Sequence, residues 1–336
     1  MPHDAVEAGP GKLEPEKASK ITARVTTLSV AVASTLVAAK LAAWLLSGSV
    51  AMLASLADSA LDLAASLTTF FAVRYAATPA DDEHRFGHGK AEAFASLLQA
   101  QLVALSAGYL IYESISRFLE PRPIQQGGLA IAVMVLSIGL TLGLIWAQQR
   151  ALNQTSSVAV EGDRAHYAAD LGANAAVIAG LVFAGLMGID RADPVVGFLV
   201  ALWLLKTAWD VGGNAFNMLM DRELSDADRA EIVKIAGDDR RVLGVHQLRT
   251  RAAGPFVHIQ LHMDLDPDLS LTDAHAIVVS AEARLMEAWP AADILIHPDP
   301  RGRAEPHGHP MFEGEDAETP EHGDDAQEGG GTDRSA

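Results

Sequence analysis

The sequence predicts an α-helical membrane protein: six transmembrane helices, then a small cytoplasmic α+β domain of order αββαβ, an open-faced sandwich. Long apolar stretches separated by short charged islands predict the helices. A change to short alternating runs after residue 220 predicts the α+β domain. Of the 336 residues, 49% are hydrophobic and 20% are charged. That near-ordinary average hides a segregated chain, with charge gathered at the two ends and between the apolar stretches.

Crossing a bilayer takes about 20 mostly apolar residues. The stretches run over residues 21–46, 50–75, 91–118, 129–148, 159–186 and 194–212. The first follows a polar segment and is too long for a signal-peptide core, so it is read as retained. A soluble protein with buried helices is the alternative, and six stretches of this length argue against it. Lys12, Lys17 and Lys20 precede the first stretch and Arg24 lies in its first turn. Arg74 lies at the end of the second, with Arg85 and Lys90 after it; Arg150 follows the fourth, and Arg164 lies near the start of the fifth. The opposite side carries only Arg117, Arg122 and Arg191. Positive residues gather on the cytoplasmic side, so both termini are expected there.

Past the sixth stretch, residues 225–237 read as a helix with Ser225 as N-cap and Asp226 and Asp228 in its first turn. Strand-like runs follow at 242–250 and 255–265, split by an Ala-Ala-Gly turn. An amphipathic helix at 273–288 and a short strand at 294–297 complete the domain. The expected organisation is a cytoplasmic tail (1–20), the membrane domain (21–220), a small cytoplasmic α+β domain (221–300) and an acidic disordered tail (301–336).

Composition narrows the chemistry. There is no cysteine, which excludes disulfides, thiolate catalysis and iron–sulfur clusters. A net charge of -18 argues against a nucleic-acid partner. Any metal must therefore be held by His, Asp and Glu. The second stretch contains Asp58 and Asp62, the fifth His166 and Asp170. Charge inside a bilayer is expensive, so such residues point to function. Each pair is spaced i, i+4, which places it on one helical face. If the two helices run antiparallel, the pairs can meet as three carboxylates and one imidazole, a set suited to a divalent transition metal. Ser66 and Asn174 continue the same faces. The alternatives are ion pairs that hold helices together, for which the spans offer Lys40 and Lys206, or a proton relay without metal. A membrane protease lacks support, because neither His-Glu-x-x-His nor Gly-x-Ser-x-Gly occurs.

These residues resemble a known family. Leu-Ala-Asp58-Ser-Ala-Leu-Asp62, the loop Pro79-Ala-Asp-Asp-Glu-His84-Arg-Phe-Gly-His88-Gly-Lys90-Ala-Glu92, and His166-Tyr-Ala-Ala-Asp170 are similar to the cation diffusion facilitator family, in particular its bacterial zinc and ferrous-iron efflux branch. The resemblance covers residues 21–300. It implies a homodimeric proton/divalent-metal antiporter of the bacterial inner membrane, carrying zinc, with cadmium or ferrous iron as further substrates. It also implies a transport site of Asp58, Asp62, His166 and Asp170, and a second site of Asp81, His84 and His88. A binuclear zinc site at the dimer contact would comprise His246, His262, His275, His297 and Asp299. Lys90 and Asp221 match an ion pair that locks subunits or domains. His258 falls outside the pattern and reads as a satisfied or solvent-facing histidine. The tail histidines His307, His309 and His322 read as part of a solvating segment.

The function expected is therefore export of a divalent metal by alternating access around the intramembrane site. The chain is read as a transporter embedded in lipid, not as an enzyme. A membrane-anchored metal sensor or scaffold is the rival, but a sensor has no need of the intramembrane quartet.

Overall fold

A computed structural model describes residues 9–48, 50–119, 128–187 and 192–302. Six long helices come first: α1 (Pro15–Ser47), α2 (Val50–Ala76), α3 (Ala91–Leu119), α4 (Gly128–Thr155), α5 (Val158–Met187) and α6 (Ala192–Leu219). They are followed by α7 (Asp226–Ala236), β1 (Gly244–Ala253), β2 (Phe256–Leu265), α8 (Leu271–Ala288) and β3 (Ala292–Pro300). Two compact units emerge: one comprises Met1–Glu223, Thr250–His258 and Trp289–Asp293, the other Leu224–Arg249, Ile259–Ala288 and Ile294–Ala336. The N-terminal residues 1–8, Arg122, Arg191 and the tail from 303, with its histidines, lie outside the described residues.

Among the described residues, five helical segments are long and apolar enough to cross a membrane: Pro15–Ser47, Met52–Ala76, Ala91–Leu119, Ala132–Thr155 and Pro194–Leu219. The remaining long helix is α5, whose N-terminal half carries Glu161, Asp163, Arg164, His166 and Asp170. α1 begins at Pro15, ahead of the apolar stretch at 21, because Pro15 and Glu16 suit a first helical turn. α4 and α6 continue to Thr155 and Leu219, past the apolar ends at 148 and 212. Hydropathy marks what lies in lipid and says nothing about where a helix stops.

Between the helices the buried residues are small: Ala33, Ala93, Ala107, Ala159, Ala201 and Ala215 are each no more than 1% exposed. Small residues let backbones approach closely, and packing then replaces the hydrophobic drive that lipid lacks. Leu46, Leu105, Trp146 and Trp209 face outward, as lipid contact requires.

In the α/β part, Ser225 Oγ accepts the Asp228 N–H at 3.2 Å and starts α7 as expected. Arg284 Nε donates to Ile235 O at 3.2 Å and Nη2 to Ala236 O at 3.4 Å, closing the C-terminus of α7 from α8. The sheet order is β1-β2-β3. Bonds from Val257 N–H to Ala291 O and from Arg301 N–H to Leu265 O tie start to start and end to end, so β2 and β3 run parallel. Along β2, Ile259, Leu261, Met263 and Leu265 are buried, whereas Gln260, His262 and Asp264 take the other face. One strand thus supplies both a core and a row of polar side chains that could ligate metal.

Candidate metal centres

The intramembrane residues meet where α2 faces α5. His166 Nε2 lies 3.0 Å from Asp62 Oδ1 and 3.9 Å from Asp170 Oδ2. A ligand atom from each of Asp62, His166 and Asp170 falls within 4.8 Å of the other two. Asp58, one turn earlier on α2, lies outside that trio. His166 Nδ1 is buried without a hydrogen-bond partner. The two intramembrane lysines make their hydrogen bonds to other groups. Lys40 Nζ donates to Ser59 Oγ at 2.5 Å and Ser55 O at 3.2 Å, and Lys206 pairs with Asp210 at 2.5 Å. Ion pairs to these lysines therefore do not account for this group.

Beneath the trio sits a residue that sequence reasoning missed. Asp163, 1% exposed, accepts hydrogen bonds from Gln148 Nε2 (2.8 Å), Gln99 Nε2 (3.3 Å) and Ser66 Oγ (3.3 Å). Ser66 Oγ and Tyr167 Oη lie 2.8 Å apart, and Tyr167 Oη donates to Ser29 O at 3.4 Å. All five helices from α1 to α5 are joined through this one carboxylate and its neighbours. Ser66 thus belongs to a buried network and not to an open passage. Gly162 permits the approach, since a Cβ there would lie 3.0 Å from Ser96 Cα of α3. The spacing Asp163, His166, Asp170 follows one helical face and was the available signal.

Removing Asp163 has a stated cost. Asp163→Ala leaves several buried donors unpaired, so a loss of about 3 kcal/mol is expected. Asp163→Asn keeps an acceptor and should cost less. Thermal unfolding of detergent-solubilised protein checks this, and an unchanged melting temperature for Asp163→Ala contradicts it.

A second cluster lies between α2 and α3. Asp81 Oδ1 accepts the N–H groups of His84 (2.6 Å) and Glu83 (3.0 Å), and its Oδ2 lies 3.2 Å from His88 Nε2. The His84 N–H above all holds the Asp81 carboxyl below the usual carboxylate range. His88 is buried, with Nδ1 2.9 Å from Thr78 Oγ1, whereas Asp81 and His84 are exposed. Ligand atoms of Asp81, His84 and His88 fall within 4.8 Å of one another. Nearby, Lys90 Nζ pairs with Asp221 Oδ1 at 2.9 Å, and Arg251 reaches its Oδ2 at 3.2 Å. Partial burial opposes it, but these cations hold Asp221 below its ordinary range.

The third cluster centres on Asp299. Its Oδ2 lies 2.7 Å from His262 Nδ1 and 3.6 Å from His246 Nε2, and its Oδ1 3.1 Å from His297 Nε2. Asp264, also 3.5 Å from His246, joins them; its place two residues after His262 on one strand face was legible. His275 is exposed on α8 and stands apart from this group within one chain. His258 is neither solvent-facing nor satisfied. Its Nδ1 lies 3.1 Å from Asp293 Oδ2, while its Nε2 is buried without a partner. Burial, then the Arg251 guanidinium, push His258 below the usual imidazole range.

Comparison with known proteins places the chain in a family. A profile described as "Cation efflux transmembrane domain" matches residues 26–220, and one described as "Cation efflux protein, cytoplasmic domain" matches residues 224–301. The "Cation-efflux pump FieF" of Shewanella oneidensis is 46% identical over 272 residues, covering 81% of this chain and 92% of that protein. The protein of the same name from Salmonella choleraesuis is 38% identical over 281 residues, covering 84% and 93%. With a membrane part and a cytoplasmic part both matched, the chain belongs to the cation efflux (cation diffusion facilitator) family of membrane transporters.

Proposed function

We propose that this chain is a proton-coupled antiporter that exports zinc, and with it cadmium or ferrous iron, from the cytoplasm. In this reading α5 is the sixth span and both termini are cytoplasmic. Asp58, Asp62, His166 and Asp170 form the transport site. The observation that carries the reading is the meeting of His166 with Asp62 and Asp170 (3.0 and 3.9 Å), because it gathers one imidazole and two carboxylates, a set that can ligate a divalent transition metal, on helices of a membrane domain.

Metal ligands must be deprotonated, so protons and metal compete for the same four groups. Protons arriving from outside displace the metal there; the emptied site rebinds metal when it faces the cytoplasm. His166 is the natural coupling group, since an imidazole changes charge near physiological pH. Asp81, His84 and His88 bind a second metal on the cytoplasmic side. His246, His262, His297 and Asp299, with His275 contributed at the contact of two copies, hold a regulatory zinc pair that stabilises a homodimer. These side chains suit zinc, which accepts imidazole and carboxylate together. The cytoplasmic cluster already offers three imidazoles around one buried carboxylate.

Everted membrane vesicles test the proposal. Zinc uptake should accelerate when the vesicle interior is made acidic and should stop when the gradient is collapsed. Uptake indifferent to the gradient overturns proton coupling, and no uptake at all favours a sensor.

A further inference from the structure

The loop cluster is one ligand short. Zinc takes four ligands in closed sites, and Asp81, His84 and His88 supply three, two of them exposed. The geometry points to His258 as the fourth: we infer that it closes the Asp81–His84–His88 site, so that three imidazoles and one carboxylate hold one divalent transition metal. The inference rests on the loop being a metal site, as proposed above, and adds a ligand from β2.

The first argument is the state of the His258 ring. A metal-bound histidine commonly gives its other ring N–H to a carboxylate, which fixes tautomer and orientation. His258 Nδ1 has that partner in Asp293 Oδ2 at 3.1 Å. This leaves Nε2 as the lone-pair nitrogen, and it is buried with no partner. An unpaired buried acceptor costs free energy that a bound ion would recover.

The second argument is proximity. His84, His88 and His258 line one cavity of about 370 Å³. Phe86, between the two loop histidines, packs edge-on against the His258 ring with centroids 5.6 Å apart. Two residues beyond Gly87 the loop presses on the β1–β2 turn, since a Cβ on Gly89 would lie 2.0 Å from Ala253 O. The loop and the hairpin carrying His258 are therefore in direct contact within one compact unit. His258 is outside the 4.8 Å group of the loop ligands. Binding accordingly draws the loop onto the strand, and metal in this site ties the two together.

Zinc affinity of the full-length, detergent-purified protein, measured by competition with a chromogenic chelator, tests this. His84→Ala and His88→Ala should each remove one class of site. His258→Phe, which keeps ring bulk, should weaken that same class by about 10- to 100-fold, and Asp293→Asn should weaken it less. With cobalt(II) as probe, the tetrahedral visible absorption of that class should fall in His258→Phe. His258→Gln guards against a packing artefact and should behave as His258→Phe does. If His84→Ala removes a class and both His258 variants leave it intact, His258 is no ligand and the loop site stands with three. If His84→Ala and His88→Ala change nothing, the loop site itself is wrong and the inference falls with it.

Discussion

Asp62→Ala is expected to abolish proton-coupled metal transport in a protein that still inserts and dimerises. Asp62 is the α2 carboxylate nearest His166, with Oδ1 3.0 Å from Nε2, so it joins the two helices at the centre of the proposed site. Losing an outer-shell partner of a metal site already costs 10- to 100-fold in affinity or activity. Losing a ligand should cost at least about 100-fold. The side chain is 13% exposed and takes part in no bond of the Asp163 network, so the fold should survive. Initial zinc uptake into vesicles, normalised to the amount of folded protein by gel filtration, measures the effect. Uptake at the unmutated rate would remove Asp62 from the transport site.

The contrast between Asp62 and Asp163 also shows what the sequence disclosed. An i, i+4 pair of charged residues in an apolar stretch stands out, because lipid makes charge costly wherever it is unneeded. The positions of α1, α2, α3, α4 and α6 were legible for the same reason: their apolar stretches are long enough to cross a membrane. Asp163 is equally charged and more deeply buried, yet it sits among polar residues at the start of α5, where a charge does not stand out. Its helical face was the one signal; its donors, drawn from α2, α3 and α4, come from residues too distant in the chain for a local pattern to encode. β1, β2 and α7 were readable from turn and cap chemistry. β3 extends from Ala292 to Pro300, beyond the short apolar core at 294–297, because pairing with β2 recruits polar flanks that lack strand character. His258 illustrates the converse. Its strand face followed from alternation, but its satisfied Nδ1 and unpaired Nε2 depend on Asp293, which comes from β3.

Selectivity is the second large effect expected: zinc, cadmium and ferrous iron carried, magnesium and calcium refused. Magnesium holds its waters and requires six oxygens in near-octahedral order, and calcium takes six to eight oxygens. Asp62, His166 and Asp170 gather one imidazole and two carboxylates within 4.8 Å, and Asp58 stands one turn away on the same face of α2. Such a set is too small for calcium, and its nitrogen suits zinc and iron better than magnesium. Three carboxylates with one imidazole also make a site less demanding than one with two imidazoles, so larger or harder transition ions are tolerated. Asp58→His adds the second imidazole and is expected to narrow transport toward zinc, with cadmium lost first. Competition assays in vesicles carrying a zinc reporter compare the two proteins. Cadmium should inhibit zinc uptake by the unmutated protein several-fold better than uptake by Asp58→His, and magnesium should inhibit neither. Equal inhibition by cadmium in both proteins removes Asp58 from the selectivity set. Effective inhibition by millimolar magnesium means that ligand number and type do not govern which ion this site admits.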